Sequence, residues 1–171
     1  MKKIASVVAT LALAVFASGA YAANSLSKGT WGLNIGTGSA GDTDFVDGGF
    51  IINGKYFIQS DLAILGGLGF GSLGGDTAKG TETGLIIGAR KYLRVADFAP
   101  FVGGRLSHAS TNDGNLKRTS ITGEGGAEYF LAQRFSFEGR VGFGYESIDT
   151  GGVKNNRFGT RTFGISFNFY F

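Results

Sequence analysis

Residues Phe135 to Glu146 alternate so strictly that they leave few folds open. Phe135, Phe137, Gly139, Val141, Phe143 and Tyr145 form one set, and Ser136, Glu138, Arg140, Gly142, Gly144 and Glu146 form the other. Successive side chains of a strand point to opposite faces, so a period of two predicts an extended segment with one apolar and one polar face. Seven further segments repeat the pattern, giving predicted strands at 29–38, 48–58, 62–72, 81–93, 100–109, 119–131, 135–146 and 159–171. Most run longer than the ~5–6 residues of a globular strand and match the ~9–11 needed to cross a bilayer obliquely. No segment after residue 22 has helical periodicity.

The connections alternate as well. Residues 59–61, 94–99 and 132–134 are short, whereas 39–47, 73–80, 110–118 and 147–158 are longer and carry Gly, Asp, Asn, Thr and Lys. Short turns at one end and long polar loops at the other predict a transmembrane barrel with both termini on the short-turn side. Closure is required because hydrocarbon offers no water to pair the N–H and C=O groups of an open sheet edge. The expected fold is therefore all-β, an eight-stranded antiparallel up-and-down transmembrane β-barrel. Leu62, Ile64, Leu68 and Phe70, then Leu85, Ile87, Ala89 and Leu93, then Val102 and Leu106, are the expected lipid-facing residues. Aromatic girdles are expected from Trp31, Tyr56, Tyr92, Tyr129, Phe135 and Phe169 at the lower interface, with Phe70 and Tyr145 above. A soluble secreted eight-stranded barrel is the alternative.

Residues 1–22 read as a secretory signal peptide. Lys2 and Lys3 precede an apolar run from Ile4 to Phe16, and Ala20-Tyr21-Ala22 ends it in a small-x-small cleavage pattern. The mature barrel domain is then 23–171. Losing two lysines and no acid takes the formal charge from +3 to +1, which gives a nucleic-acid partner no electrostatic support. The absence of cysteine excludes disulfides, thiolate metal sites and catalytic thiols, and the single histidine excludes a multi-histidine metal centre. No cofactor is expected.

The polar phase of the strands contains Lys55, Glu82, Arg90, Arg105, Glu124, Glu128, Glu138 and Arg140. Eight strands enclose an interior that side chains just fill. If the 132–134 turn pairs Leu131 with Phe135, Glu128 opposes Glu138, Gly126 opposes Arg140 and Glu124 opposes Gly142. Arg90, Arg105, Glu124, Glu128, Glu138 and Arg140 then form a luminal charge network. It reads either as a plug that fixes strand register or as an acid/base pair or conduction path.

The last segment places Phe163, Ile165, Phe167, Phe169 and terminal Phe171 on one phase, against Thr162, Gly164, Ser166 and Asn168, with Tyr170 breaking the polar side. This resembles the C-terminal signal by which outer-membrane proteins are delivered to the barrel-assembly machinery. Over 23–171 the chain is similar to the small eight-stranded outer-membrane barrels: the OmpA transmembrane domain, OmpX/Ail-type proteins and opacity-type porin-family proteins. That resemblance implies a monomer in a Gram-negative outer membrane. It also implies a non-enzymatic structural or surface role, with loops meeting lipopolysaccharide, host or phage. A narrow channel is a second reading. Lys79, Lys117, Arg118, Lys154, Arg157 and Arg161 lie at the expected outer rim, as lipopolysaccharide contacts or as solvated charge.

Other motifs carry less. Gly69-x-Gly71-x-x-Gly74 has a nucleotide-loop spacing with no helix after it, and Val46 spoils a calcium loop at Asp42, Asp44 and Asp47. Arg105-Leu-Ser-His108-Ala-Ser110 resembles the Arg-x-x-His-x-Ser-Asn stretch of lipid A 3-O-deacylases, barrels in which His, Ser and a later Glu form a hydrolytic triad. Thr111 stands where that family has Asn, and by alternation Glu124 points to the lumen while His108 and Ser110 take the lipid phase. Deleting Phe171, or replacing it by Ser, is expected to lower the amount of folded, heat-modifiable barrel in the outer membrane while signal cleavage continues. Normal levels on a gel of unboiled membranes would refute the assembly signal.

Overall fold

The alternating segments form eight antiparallel strands in the computed structural model, which describes residues 26–38, 50–73, 80–112 and 114–171. The strands are β1 (Trp31–Gly38), β2 (Phe50–Gln59), β3 (Leu62–Leu73), β4 (Gly80–Tyr92), β5 (Phe98–Thr111), β6 (Leu116–Ala132), β7 (Phe135–Thr150) and β8 (Val153–Tyr170). Each strand pairs with the next and β8 pairs with β1, so the sheet is a closed up-and-down barrel. The seam runs from Gly32 opposite Tyr170 to Gly38 opposite Gly164. The expected signal peptide, the Asp42–Asp47 cluster and Lys79 lie outside the described residues.

Two of the expected long loops are strand instead. The segment 147–158 is mostly the outer part of a β7–β8 hairpin that turns at Gly151 and Gly152, whose φ values of +59° and +93° suit glycine. In the segment 110–118, β5 continues to Thr111 and β6 begins at Leu116. Their polar residues obscured the period, because beyond the membrane both faces of a strand meet water. Among the described residues β5–β8 have strands of 14 to 18 residues, against 8 to 13 for β1–β4. At the opposite end Ala132, not Leu131, pairs with Phe135. Leu131 forms a bulge that keeps the inward register, with Glu128 opposite Glu138, Gly126 opposite Arg140 and Glu124 opposite Gly142.

The apolar phase faces outward. Ile64, Leu68, Phe70, Leu85, Ile87, Leu93, Val102 and Leu106 are all exposed, as befits side chains solvated by lipid. Phe158 and Phe169 lie on this outer phase of β8, eleven residues apart. At ~3.3 Å per residue and a tilt near ~45°, that spans roughly 26 Å of height, about that of an outer-membrane apolar band. Trp31 and Tyr129 hold the lower girdle and Tyr145 the upper. Tyr92 does not join them: it is 1% exposed and turned into the lumen. Phe135 stacks on Phe167 and meets Phe169 at a tilt, with centroids 5.8 and 5.1 Å away.

Inward glycines admit the neighbouring side chains. A Cβ on Gly126 would sit 2.3 Å from the Gly139 carbonyl oxygen and 2.7 Å from the Phe101 ring. One on Gly139, which faces outward, would meet nothing within 4 Å. Gly126→Val should therefore destabilise the barrel by about 1–3 kcal/mol through overpacking, and Gly139→Val should be tolerated. Urea unfolding in micelles, read by gel shift, checks the contrast; equal midpoints would contradict this packing.

Candidate functional site

The lumen is filled in layers. At the periplasmic end Phe57, Tyr92, Phe101, Phe130 and Tyr170 form an aromatic floor with Leu26, Ala63 and Ala99. Phe57 and Tyr92 lie 5.5 Å apart between centroids, Tyr92 and Phe101 5.8 Å, and Phe130 and Tyr170 5.5 Å. The two tyrosine hydroxyls turn toward the next layer. Tyr92 donates to Glu128 Oε2 at 2.7 Å and Tyr170 donates to Glu128 Oε1. Amphipathic rings thus join an apolar floor to a polar interior.

Above the floor lies the charge network. Lys55 Nζ is 3.0 Å from Glu128 and 3.0 Å from Glu138. Arg90 reaches Glu138 at 2.7 Å and Glu124 at 2.9 Å, with its guanidinium stacked 3.7 Å over the Phe101 ring. Arg105 Nε lies 3.5 Å from Glu124, and Arg140 lies 3.6 Å from Glu138. Asn34, Asn168 and Ser136 extend the network. Asn34 donates to Ser166 at 2.8 Å and to Asn168 at 2.6 Å, Asn168 to Ser136 at 3.0 Å, and Ser136 to Glu128. Strands one, two, four, five, six, seven and eight all contribute, so the contacts span the barrel rather than following one hairpin.

Ile51, Ile86 and Ala109 form a small apolar layer further out, beside a Ser107–Ser120 hydrogen bond of 2.8 Å. A second charged layer closes the outer mouth, with Arg118 3.4 Å from Glu82 and Arg157 2.5 Å from Glu146. These two arginines, expected at the outer rim as lipopolysaccharide contacts or as solvated charge, pair instead with luminal carboxylates. A cavity of about 10 Å³ remains at the inner charge layer, enough for about one water.

Sequence reasoning located Arg90, Arg105, Glu124, Glu128, Glu138 and Arg140 on the inward phase, and the structure brings all six together. It gave no special place to Lys55, which joins two acids, or to Tyr92 and Tyr170. Alternation could have found both tyrosines, since Tyr170 shares the phase of Ser166 and Asn168, and Tyr92 that of Glu82 and Arg90. The residues of the proposed assembly signal lie on the outer face of β8, with Phe163, Ile165, Phe167 and Phe171 exposed and Phe169 half-buried.

His108, Ser110 and Glu124 do not assemble into a triad. His108 faces outward and shares a 2.9 Å hydrogen bond with Thr119 Oγ1, while Glu124 is buried in the lumen beside Arg90. The row Leu106–Ile121–Tyr145–Phe158 is apolar and the next outward row is His108–Thr119–Ser147–Asn156. His108 therefore sits at the headgroup level. Among the described residues no cluster of His, Cys, Asp and Glu could hold a metal ion.

The closed barrel, lipid-facing belt and filled lumen can be set beside known proteins. Residues 8–171 match the family described as outer membrane protein beta-barrel domain. The chain belongs to this family. It is an integral protein of a Gram-negative outer membrane. The N-terminal β-barrel domain of Pseudomonas aeruginosa OprF is a similar structure, with a TM-score of 0.55 and 13% identity over 84% of this chain and 98% of that one. OprG from Pseudomonas aeruginosa is also similar, with a TM-score of 0.51 and 12% identity over 85% of this chain and 97% of that one. At such identities the likeness is one of fold. No curated protein matches the chain.

Within this outer-membrane barrel the network should be costly to break. Glu138→Gln leaves Lys55 and Arg90 short of a buried counter-charge and should cost about 3–5 kcal/mol. Asp61→Asn breaks the half-exposed 2.5 Å pair with Lys91 and should cost under about 1 kcal/mol. Urea midpoints in micelles compare the two, and a Glu138→Gln loss no larger than that of Asp61→Asn would contradict the network's structural weight.

Proposed function

We propose that this protein is a non-enzymatic, monomeric outer-membrane barrel that acts through its outer surface, and that its charged lumen is a plug that fixes strand register. The filled lumen carries this reading. Among the described residues an aromatic floor and two charged layers fill the lumen around a cavity of about 10 Å³, which supports a barrel without a water-filled path of porin size. The narrow-channel alternative has less support. So does lipid A hydrolysis, since Glu124 lies on the opposite face of the sheet from His108 and Ser110.

The tall β5–β8 wall supports a surface role. On its outward face Ser110, Lys117, Asp149 and Lys154 form one row beyond the His108 row. Lys117 and Lys154 are exposed cations on that row, which supports lipopolysaccharide, with its phosphates, as the proposed lipid partner. The same wall is the proposed contact for host or phage. Phe163, Ile165, Phe167, Phe169 and Phe171 are proposed to be read by the barrel-assembly machinery after a signal peptide, residues 1–22, is cleaved.

In planar bilayers the purified barrel should give no stable conductance of porin size, and lipid A from expressing cells should keep its acyl pattern by mass spectrometry. Reproducible large steps would overturn the plugged lumen. Loss of a 3-linked acyl chain, abolished by His108→Ala and by Ser110→Ala, would overturn the non-enzymatic assignment.

A further inference from the structure

The lipid-facing belt is not smooth. Between β3 and β6 a hollow of about 760 Å³ opens on the outside of the barrel, within the ~300–1,000 Å³ range of small-molecule sites. Ile64, Ile87, Leu106 and Ile121 stand around it, and Gly104 and Gly123 leave its floor without side chains. The two glycines oppose each other across β5 and β6, and Ala89 continues their row on β4.

The barrel itself does not require these two glycines. A Cβ on Gly104 would approach nothing closer than the Thr122 carbonyl oxygen at 3.8 Å, and one on Gly123 nothing closer than the Phe143 carbonyl oxygen at 3.8 Å. On inward-facing Gly144 a Cβ would instead lie 2.1 Å from the Ile121 carbonyl oxygen. Neither Gly104 nor Gly123 has a positive φ, and the ladders joining β5 to β4 and to β6 run without a bulge. Glycine weakens a strand interior, and where no bulge or bend explains it, it marks the close approach of a ligand or another backbone. The hollow is therefore space kept open for something outside the barrel.

Its position identifies the occupant. The hollow is continuous with the exposed apolar belt around Leu85 and Val102, which faces acyl chains. At ~3.3 Å per residue and a tilt near ~45°, Gly104 lies roughly 9 Å below His108, in the outer half of the apolar band. Left unfilled, the hollow would deny its lining the dispersion contacts of a packed surface, and the medium that reaches it is the acyl chains of the outer leaflet. The polar residues above suit the headgroup of the same lipid. His108 and Ser110 follow Leu106 on β5, and Thr119 and Lys117 lie beyond Ile121 on β6. The row through Lys117 carries a second cation, Lys154, and one acid, Asp149. We propose that the hollow seats one acyl chain of a lipopolysaccharide molecule whose phosphate meets Lys117. This rests on the reading of lipopolysaccharide as the lipid partner and adds where, and by which part, that lipid is held.

The test uses the protein purified from outer membranes in micelles and titrated with lipopolysaccharide lacking its O-chain, or with phosphatidylethanolamine. Retained lipid is counted by native mass spectrometry, and folding is checked by gel shift. One lipopolysaccharide should be retained per barrel, and phosphatidylethanolamine should not. The double variant Gly104→Val with Gly123→Val fills the hollow from outside and should raise the Kd at least about tenfold. If it fails to fold, Gly123→Val alone decides. Lys117→Ala should weaken binding as well, whereas Gly139→Val, an outward glycine away from the hollow, should leave it unchanged. Lipopolysaccharide binding that falls in Lys117→Ala but not in the folded glycine variant would overturn the acyl seat and leave the lipopolysaccharide reading standing. No retained lipopolysaccharide would overturn both. Phosphatidylethanolamine displaced by filling the hollow, or a dimer dispersed by it, would overturn the proposal by assigning the hollow another occupant.

Discussion

Backbone polar groups inside a bilayer have no solvent to pair with, and every main feature of this protein follows from that constraint. A sheet meets it only by closing, which here depends on β8 returning to β1 from Tyr170 to Gly164. Eight strands are few enough that closure leaves a narrow interior, and the side chains of one phase have to fill it. The other phase becomes the lipid surface. A soluble barrel would place these two sets the other way round, so the exposed Leu85, Ile87 and Phe143 and the buried Glu128, Glu138 and Lys55 report the solvent as well as the fold.

A lumen filled with charge is an unusual solution, since apolar residues of similar volume often serve stability as well or better. Geometry helps to account for it. The filling side chains have to reach across from strands that are distant in sequence, and long Arg, Lys and Glu side chains do so while their forked ends make several contacts. Glu138 alone touches groups from β2, β4 and β8, through Lys55, Arg90 and Asn168. A one-residue slip of any strand would move such a group to the lipid side, where it has no partner. The aromatic floor works differently: Tyr92 and Tyr170 stop the charges from opening toward the periplasm and satisfy Glu128 through their hydroxyls.

The described part of the barrel is tallest along β5–β8. Strands β5 to β8 continue well above the apolar row that ends at Tyr145 and Phe158, and beyond that row their outward face is polar and carries both charges. Water on both faces removes the need for alternation there, and ladder hydrogen bonds with side-chain contacts such as Arg157–Glu146 and His108–Thr119 keep the strands paired. This part of the chain is under the weakest membrane constraint, which leaves its side chains available for contacts outside the cell.

Alternation in the sequence was enough to define strand number, topology, the lipid-facing phase and the inward set from Arg90 to Arg140. The physical reason is that a bilayer enforces a period of two on every residue it covers. The limits of β7 and β8 were not legible, because residues 147–158 lie beyond that enforcement and read as a polar loop. Tyr170 looked like a flaw in the terminal pattern, and Tyr92 looked like a girdle residue. Only closure of the barrel shows both as the roof of the aromatic floor, since each role depends on Glu128 arriving from another strand. The place of Lys55 between two acids was likewise decided by tertiary structure. Sequence gives the phase of each side chain, but which charges meet depends on strand register summed around the whole barrel.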